Sequence, residues 1–170
     1  MDIDEPGWPL IDDFFAKEAS GRAEATVRRY VRVRDRLTQF LDTADMGRWL
    51  GTHPATLLEA EREFHELGAF WQLFGPDELV CVLPGFLLEP WMPESLGEAR
   101  TQISLVSRLL SHLSRKRLLD FSVIRCAYWE SEAAVKQARI DLEARSAARM
   151  PDEHAQEMPS RFKQQPGPQW

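Results

Sequence analysis

The side chains suited to forming a site in this sequence are mostly guanidiniums. Residues 20–36 hold six arginines (Arg22, Arg28, Arg29, Arg32, Arg34, Arg36) against Glu24 and Asp35. Residues 99–119 hold Arg100, Arg108, Arg115, Lys116 and Arg117 with no acid. A guanidinium is charged at every physiological pH, and its planar fork of donors fits phosphate or carboxylate oxygens. Other chemistry is sparse. Glu61 and His65 lie one helical turn apart, as metal ligands on a helix can, but no third ligand stands at a useful spacing. A solvated Glu–His pair and no metal are therefore expected. Cys81 and Cys126 make no C-x-x-C, and Cys126 reads as a buried structural thiol without an activating base. The nine glycines are scattered, with no phosphate-cradling loop and no G-x-S-x-G element. No cofactor is expected, and the chain does not read as an enzyme.

The elements that must carry these arginines are helices. There is no sustained alternation of apolar and polar residues and no Asn-Gly or Asp-Gly hairpin, so strands are not expected. A short helix is expected over residues 11–18, ended by Ser20-Gly21. A second runs over 24–41, where Val27, Tyr30, Val33, Leu37, Phe40 and Leu41 share one broad side. Arg28, Arg29, Arg32 and Arg36 then fall within about 100° on the opposite side of the wheel, while Arg34 points toward the apolar side and is expected to snorkel or pair there. Thr52-His53-Pro54 starts a helix over 55–67. Residues 77–88 form a core helix, bent or ended near Pro84-Gly85. Ser95-Leu-Gly-Glu98 has the form of a capping box and opens the best-marked helix. Ile103, Val106, Leu109, Leu110 and Leu113 line one side of that helix. Arg100, Thr101, Ser104, Arg108, Ser111 and Arg115 line the other. A long helix is expected over 122–150, stopped by Pro151. Residues 151–170, rich in proline and polar groups, read as a disordered tail.

Composition narrows the class. The chain has 170 residues, about one domain's worth, and its apolar and charged fractions are those of a globular protein. No apolar run approaches the roughly 18 residues of a membrane span, and the acidic start does not resemble a signal peptide. Free thiols in a reducing cytoplasm are the expectation. The net charge of −6 disfavours nucleic acid, but it hides the segregation of positive charge into two segments. The aromatics Trp49, Phe64, Phe70, Trp71 and Phe74 are expected to pack an additional segment, about 42–77, onto the bundle; an exposed Phe70-Trp71 knob would instead mark a partner site. Trp8, Trp91 and Trp129 are assigned to the core or its margin.

In this order the helices resemble a known arrangement. Residues 10–41, LIDDFFAKEASGRAEATVRRYVRVRDRLTQFL, look like the opening of the N-terminal core-binding (SAM-like) domain of tyrosine recombinases, the phage-integrase family. LVCVLPGFLLEP then stands for its middle helix, and SLGEARTQISLVSRLLSHLSRKRLLD for its last long one. The resemblance covers about residues 10–120 and implies an all-α helical bundle; this chain departs from the family in an inserted helical segment over about 42–77, and a long C-terminal helix follows the resemblance. The resemblance further implies that Arg28, Arg29, Arg32, Arg36, Arg100, Arg108, Arg115 and Lys116 face duplex DNA. About 50 residues follow, too few for the family's catalytic domain, so a non-catalytic role is expected. His112-Leu-Ser-Arg115 matches the family's H-x-x-R element literally but lies in the last core-binding helix, and is read as a chance match.

Two functions follow as expectations. One is a DNA-binding module that holds duplex phosphates through two arginine-bearing helices. The other is a protein-interaction or regulatory module, docking a partner through 47–76 or 122–150. The first requires the two arginine faces to converge.

Overall fold

Periodic apolar spacing resolves into eight helices in the computed structural model, which describes residues 8–149, and no strand occurs among those residues. They are α1 (Trp8–Ala19), α2 (Glu24–Thr43), α3 (Gly47–Leu50), α4 (Thr52–Phe64), α5 (Ala69–Leu73), α6 (Pro76–Phe86), α7 (Leu96–Arg115) and α8 (Phe121–Arg149). The all-α bundle expected from the sequence is what forms. The tail expected over 151–170 lies outside the described residues. Among those described, no helix is long and apolar enough to cross a membrane.

The most deeply buried helix is α6, in which every residue from Val82 to Phe86 is buried. It packs against α3, α7 and α8. Pro84 sits inside it. Proline has no N–H, so the Val80 carbonyl loses the donor that a regular helix would supply four residues on. The hydroxyl of Ser131, itself buried, fills that place from α8 and donates to the Val80 oxygen at 2.7 Å. Next to Pro84, Gly85 lets the Trp49 indole lie against the α6 backbone; a methyl at Gly85 would overlap that ring.

The inserted segment docks by satisfying the end of α2. The last carbonyls of a helix have no partner within it. Arg62 of α4 donates to the carbonyls of Leu41 at 2.8 Å and Ala44 at 3.0 Å, and the buried Asp42 carboxylate accepts the Gly68 N–H at 2.9 Å. Phe70 and Trp71 are 0% and 2% exposed, so the partner knob considered for them does not exist. They fill the space under α2, as the packing alternative requires; Phe64, expected to pack with them, is instead 80% exposed at the end of α4.

Two helix ends differ from expectation. Ser95 precedes α7 but makes no side-chain cap, and the reciprocal bond is absent too, because the Glu98 carboxylate pairs with Arg32 and Arg36. At the other end Arg117 takes a left-handed φ of 55°. There the Leu118 N–H bonds to the Leu113 carbonyl and the Arg117 N–H to that of Ser114, a Schellman closure built without glycine. Asp120 then starts α8 by accepting both the hydroxyl and the N–H of Ser122, and these hydrogen bonds, the hydroxyl's first, hold its carboxyl below the usual range. Ile124, Ser131, Val135, Ala138 and Leu142 form the buried stripe of α8. Two assignments on this helix are corrected. Trp129 is 62% exposed and Cys126 is exposed, since both lie opposite that stripe.

Candidate functional site

The arginines of α2 divide into two groups. Arg28 and Arg29 are exposed, with Arg28 at 3.3 Å from Glu24 one turn back. Arg32 and Arg36 turn toward α7. The Arg32 Nε donates to Glu98 at 2.7 Å, and Arg36 donates to the Gln102 carbonyl oxygen at 2.8 Å and to Glu98 at 3.3 Å. Gln102 is fully buried, and its amide donates onward to the carbonyls of Phe86 at 2.8 Å and Trp91 at 3.2 Å. Arg36 is thus the outermost member of a chain of hydrogen bonds closing the end of α6. The solvent-facing wedge expected on α2 is corrected for these two residues: α7 packs beside that side of α2, and both donate to the one Glu98 carboxylate, which offsets one of their two charges and leaves Arg32 half-exposed.

Arg108 of α7 is also committed. It donates to Glu18 of α1 at 2.8 Å and to the Tyr30 hydroxyl at 3.2 Å, and these hydrogen bonds raise its pKa further above the usual arginine range. Arg34 pairs with Asp12 at 3.6 Å and Asp35 at 3.2 Å, as its position toward the apolar side implied. Arg115 and Lys116 are exposed at the far end of α7, about 22 Å along the axis from Arg100. Among the described residues Arg115 donates only to the Ser111 carbonyl, at 3.3 Å. His112, the other half of the H-x-x-R match, is buried against Phe14, with ring centres 5.4 Å apart. Burial, then the charges of Lys17, Lys116 and Arg115, lower its pKa, so it is a core imidazole that favours the neutral form.

What does converge is narrower than eight cations. Arg29 of α2 and Arg100 of α7 line one open depression of about 200 Å³, together with Thr26, Tyr30, Thr101, Ser104 and the flank of Arg108. No carboxylate lies within ion-pair distance of Arg29 or Arg100 among the described residues. Arg100 and Ser104 also line an adjoining depression of about 320 Å³ shared with Arg139 and Glu143 of α8. Arg139 then lines a third, of about 330 Å³, with Lys136, Glu132 and Ser107. Cations and hydroxyls therefore run from α2 over α7 to α8, and two carboxylates stand on the α8 end. Guanidiniums beside small hydroxyls suit a singly charged phosphate oxygen, which accepts from both kinds of donor.

Sequence reasoning found Arg29 and Arg100 but missed their setting. Thr26, Arg139 and Lys136 were not assigned to a site, and Glu98 and Glu18 were not recognised as the groups that withdraw Arg32, Arg36 and Arg108. Their partners lie more than 60 residues away, and no local periodicity reports such a pairing. Glu61 and His65 form the expected pair at 2.7 Å, and no group of three or more metal-binding side chains occurs among the described residues.

No family model, curated protein or solved structure matches the chain.

Proposed function

We propose that this chain is a non-catalytic helical module that holds the phosphate backbone of duplex DNA along the groove from α2 over α7 to α8. The observation that carries the reading is the meeting of Arg29 and Arg100, uncommitted to any carboxylate, in one depression lined by Thr26, Thr101 and Ser104. The resemblance to the core-binding domain of tyrosine recombinases supports it, since that domain clamps duplex DNA while a separate domain cleaves. Contact through Arg29, Arg100 and one α8 cation neutralises about three phosphates, so the logarithm of the binding constant falls with that of salt at a slope of about −3. Arg32, Arg36 and Arg108 act structurally in this reading, holding α2, α7 and α1 together. Nothing in the groove selects bases, so binding is independent of sequence. Fluorescence anisotropy with a labelled duplex tests it. Arg29→Glu with Arg100→Glu abolishes binding at about 50 mM salt while leaving the circular dichroism unchanged, and undiminished binding by that variant refutes the reading.

A second reading, a protein-interaction module using 47–76, is favoured by one observation. Phe64 and Leu67, at the turn leaving α4, are 80% and 75% exposed. Phe64→Ser with Leu67→Ser would abolish partner capture and leave DNA binding intact.

A further inference from the structure

The long helix α8 has two apolar faces. The inner one is buried on α6 and α7. On the opposite side of the helical wheel Cys126, Trp129, Ala133, Ile140, Ala144 and Ala147 fall within about 60° of one another, and all six are exposed. Trp129 is 62% exposed and Ile140 58%. With Gln137 as the one polar position, the face steps by three, four, four, three, four and three residues. That rhythm contains the 11-residue repeat that keeps a stripe nearly straight along an α-helix and suits a long helix–helix seam. The small side chains at 133, 144 and 147 permit close approach of a second helix.

The charges bordering the face indicate what covers it. Arg125 and Lys136 stand on one border, Glu130 and Asp141 on the other, each acid five residues after a base. Two helices lying parallel and in register bring the residue before the seam of one copy beside the residue five further on in the other. Arg125 then meets Glu130 of the second copy, Lys136 meets Asp141, and the symmetry axis repeats both pairs. Of the remaining acids on the basic border, Glu143 faces Ala148 and Glu132 lies beside Gln137 of the seam, so no like charges are opposed. An antiparallel pairing joins Arg125 to Glu143 and Glu132 to Lys136, but it also sets Glu130 against Asp141. The self-complementary pattern is that of the parallel pair.

We propose that α8 pairs, parallel and in register, with α8 of a second copy of this chain across residues 126–147. The proposal does not depend on DNA binding. Sedimentation of the full chain from about 1 to 200 µM tests it, with a mass that rises from monomer to dimer. Trp129→Glu with Ile140→Glu raises the dimer dissociation constant at least about tenfold, with helicity and melting temperature at low concentration unchanged. Lys136→Glu weakens the dimer, and Lys136→Glu with Asp141→Lys restores it, which a purely apolar contact would not do. In a Cys81→Ser background, mild oxidation with copper phenanthroline links the copies through Cys126, which faces itself only in the parallel register. A monomer at 200 µM, or a dimer indifferent to the Trp129 and Ile140 changes, overturns the proposal. A dimer that resists linkage through Cys126 overturns the parallel register.

Discussion

Removing the hydroxyl of Ser131 takes away a single atom, and the fold specifies what that atom does. The Val80 carbonyl is in the centre of the core, with Val80 at 0% and Ser131 at 1% exposure, and Pro84 occupies the position whose N–H would otherwise serve it. Ser131 supplies that donor from another helix at 2.7 Å. In Ser131→Ala the carbonyl is left buried without a partner, which costs about 1–3 kcal/mol. A central value of about 2 kcal/mol lowers the melting temperature by roughly 4–8 °C in a chain of this size. A second background separates the two contributions more sharply. Pro84→Ala restores a backbone N–H to Val80, so Ser131→Ala there costs less than about 0.5 kcal/mol, a coupling of about 1.5 kcal/mol between residues on different helices. Urea denaturation followed by circular dichroism and tryptophan fluorescence measures all four corners of the cycle. Equal costs of Ser131→Ala in the two backgrounds would refute the account, whatever the cost of Pro84→Ala itself.

Three further outcomes follow from the same structure. Glu98→Ala frees Arg32 and Arg36; because the pairs are partly exposed, stability falls by only about 1 kcal/mol, while the salt slope of DNA binding steepens by about 1–2 as two guanidiniums become available. An unchanged slope would place those arginines away from the phosphates. Arg117→Gly relieves a side chain held at a φ of 55° and stabilises the fold by up to about 1 kcal/mol in thermal melts, and a destabilised variant would contradict the strain assigned there. The pKa of His112 is lowered in the folded chain by burial and by Lys17, Lys116 and Arg115, so the unfolded chain takes up this proton first as pH falls below about 6.5. Stability is therefore full above that pH and declines below it until the folded value is passed. His112→Leu flattens the decline in denaturation measured from about pH 7.5 to 5.5, and an identical decline in that variant would contradict the assignment.

How far the fold was legible in the sequence depends on the range of the forces involved. The helix over 24–41 was readable because Tyr30, Val33, Leu37 and Phe40 repeat within one element, and burial of one face is all that pattern requires. The capping box at Ser95 was not, since Glu98 had a second use open to it across the bundle, and two guanidiniums displaced a backbone N–H as its partner. The same long-range choice divided the arginine wedge. Arg29 and Arg32 are indistinguishable by local pattern, and only the placement of α7 makes one of them a structural cation. Trp129 misled because tryptophan is usually buried, and α8 already had a complete inner stripe without it. Its exposure is the signal that opened the second face of that helix.

The central claim is that a small set of uncommitted cations, and not the full arginine complement, meets the phosphates. The most direct measurement is duplex affinity as a function of salt for the unmodified chain, for Arg29→Ala and for Arg100→Ala. The account predicts a slope of about −3 that becomes shallower by about 1 in each variant, with the stability of the fold unchanged. No detectable binding at about 50 mM salt, or a slope that neither substitution moves, would contradict it.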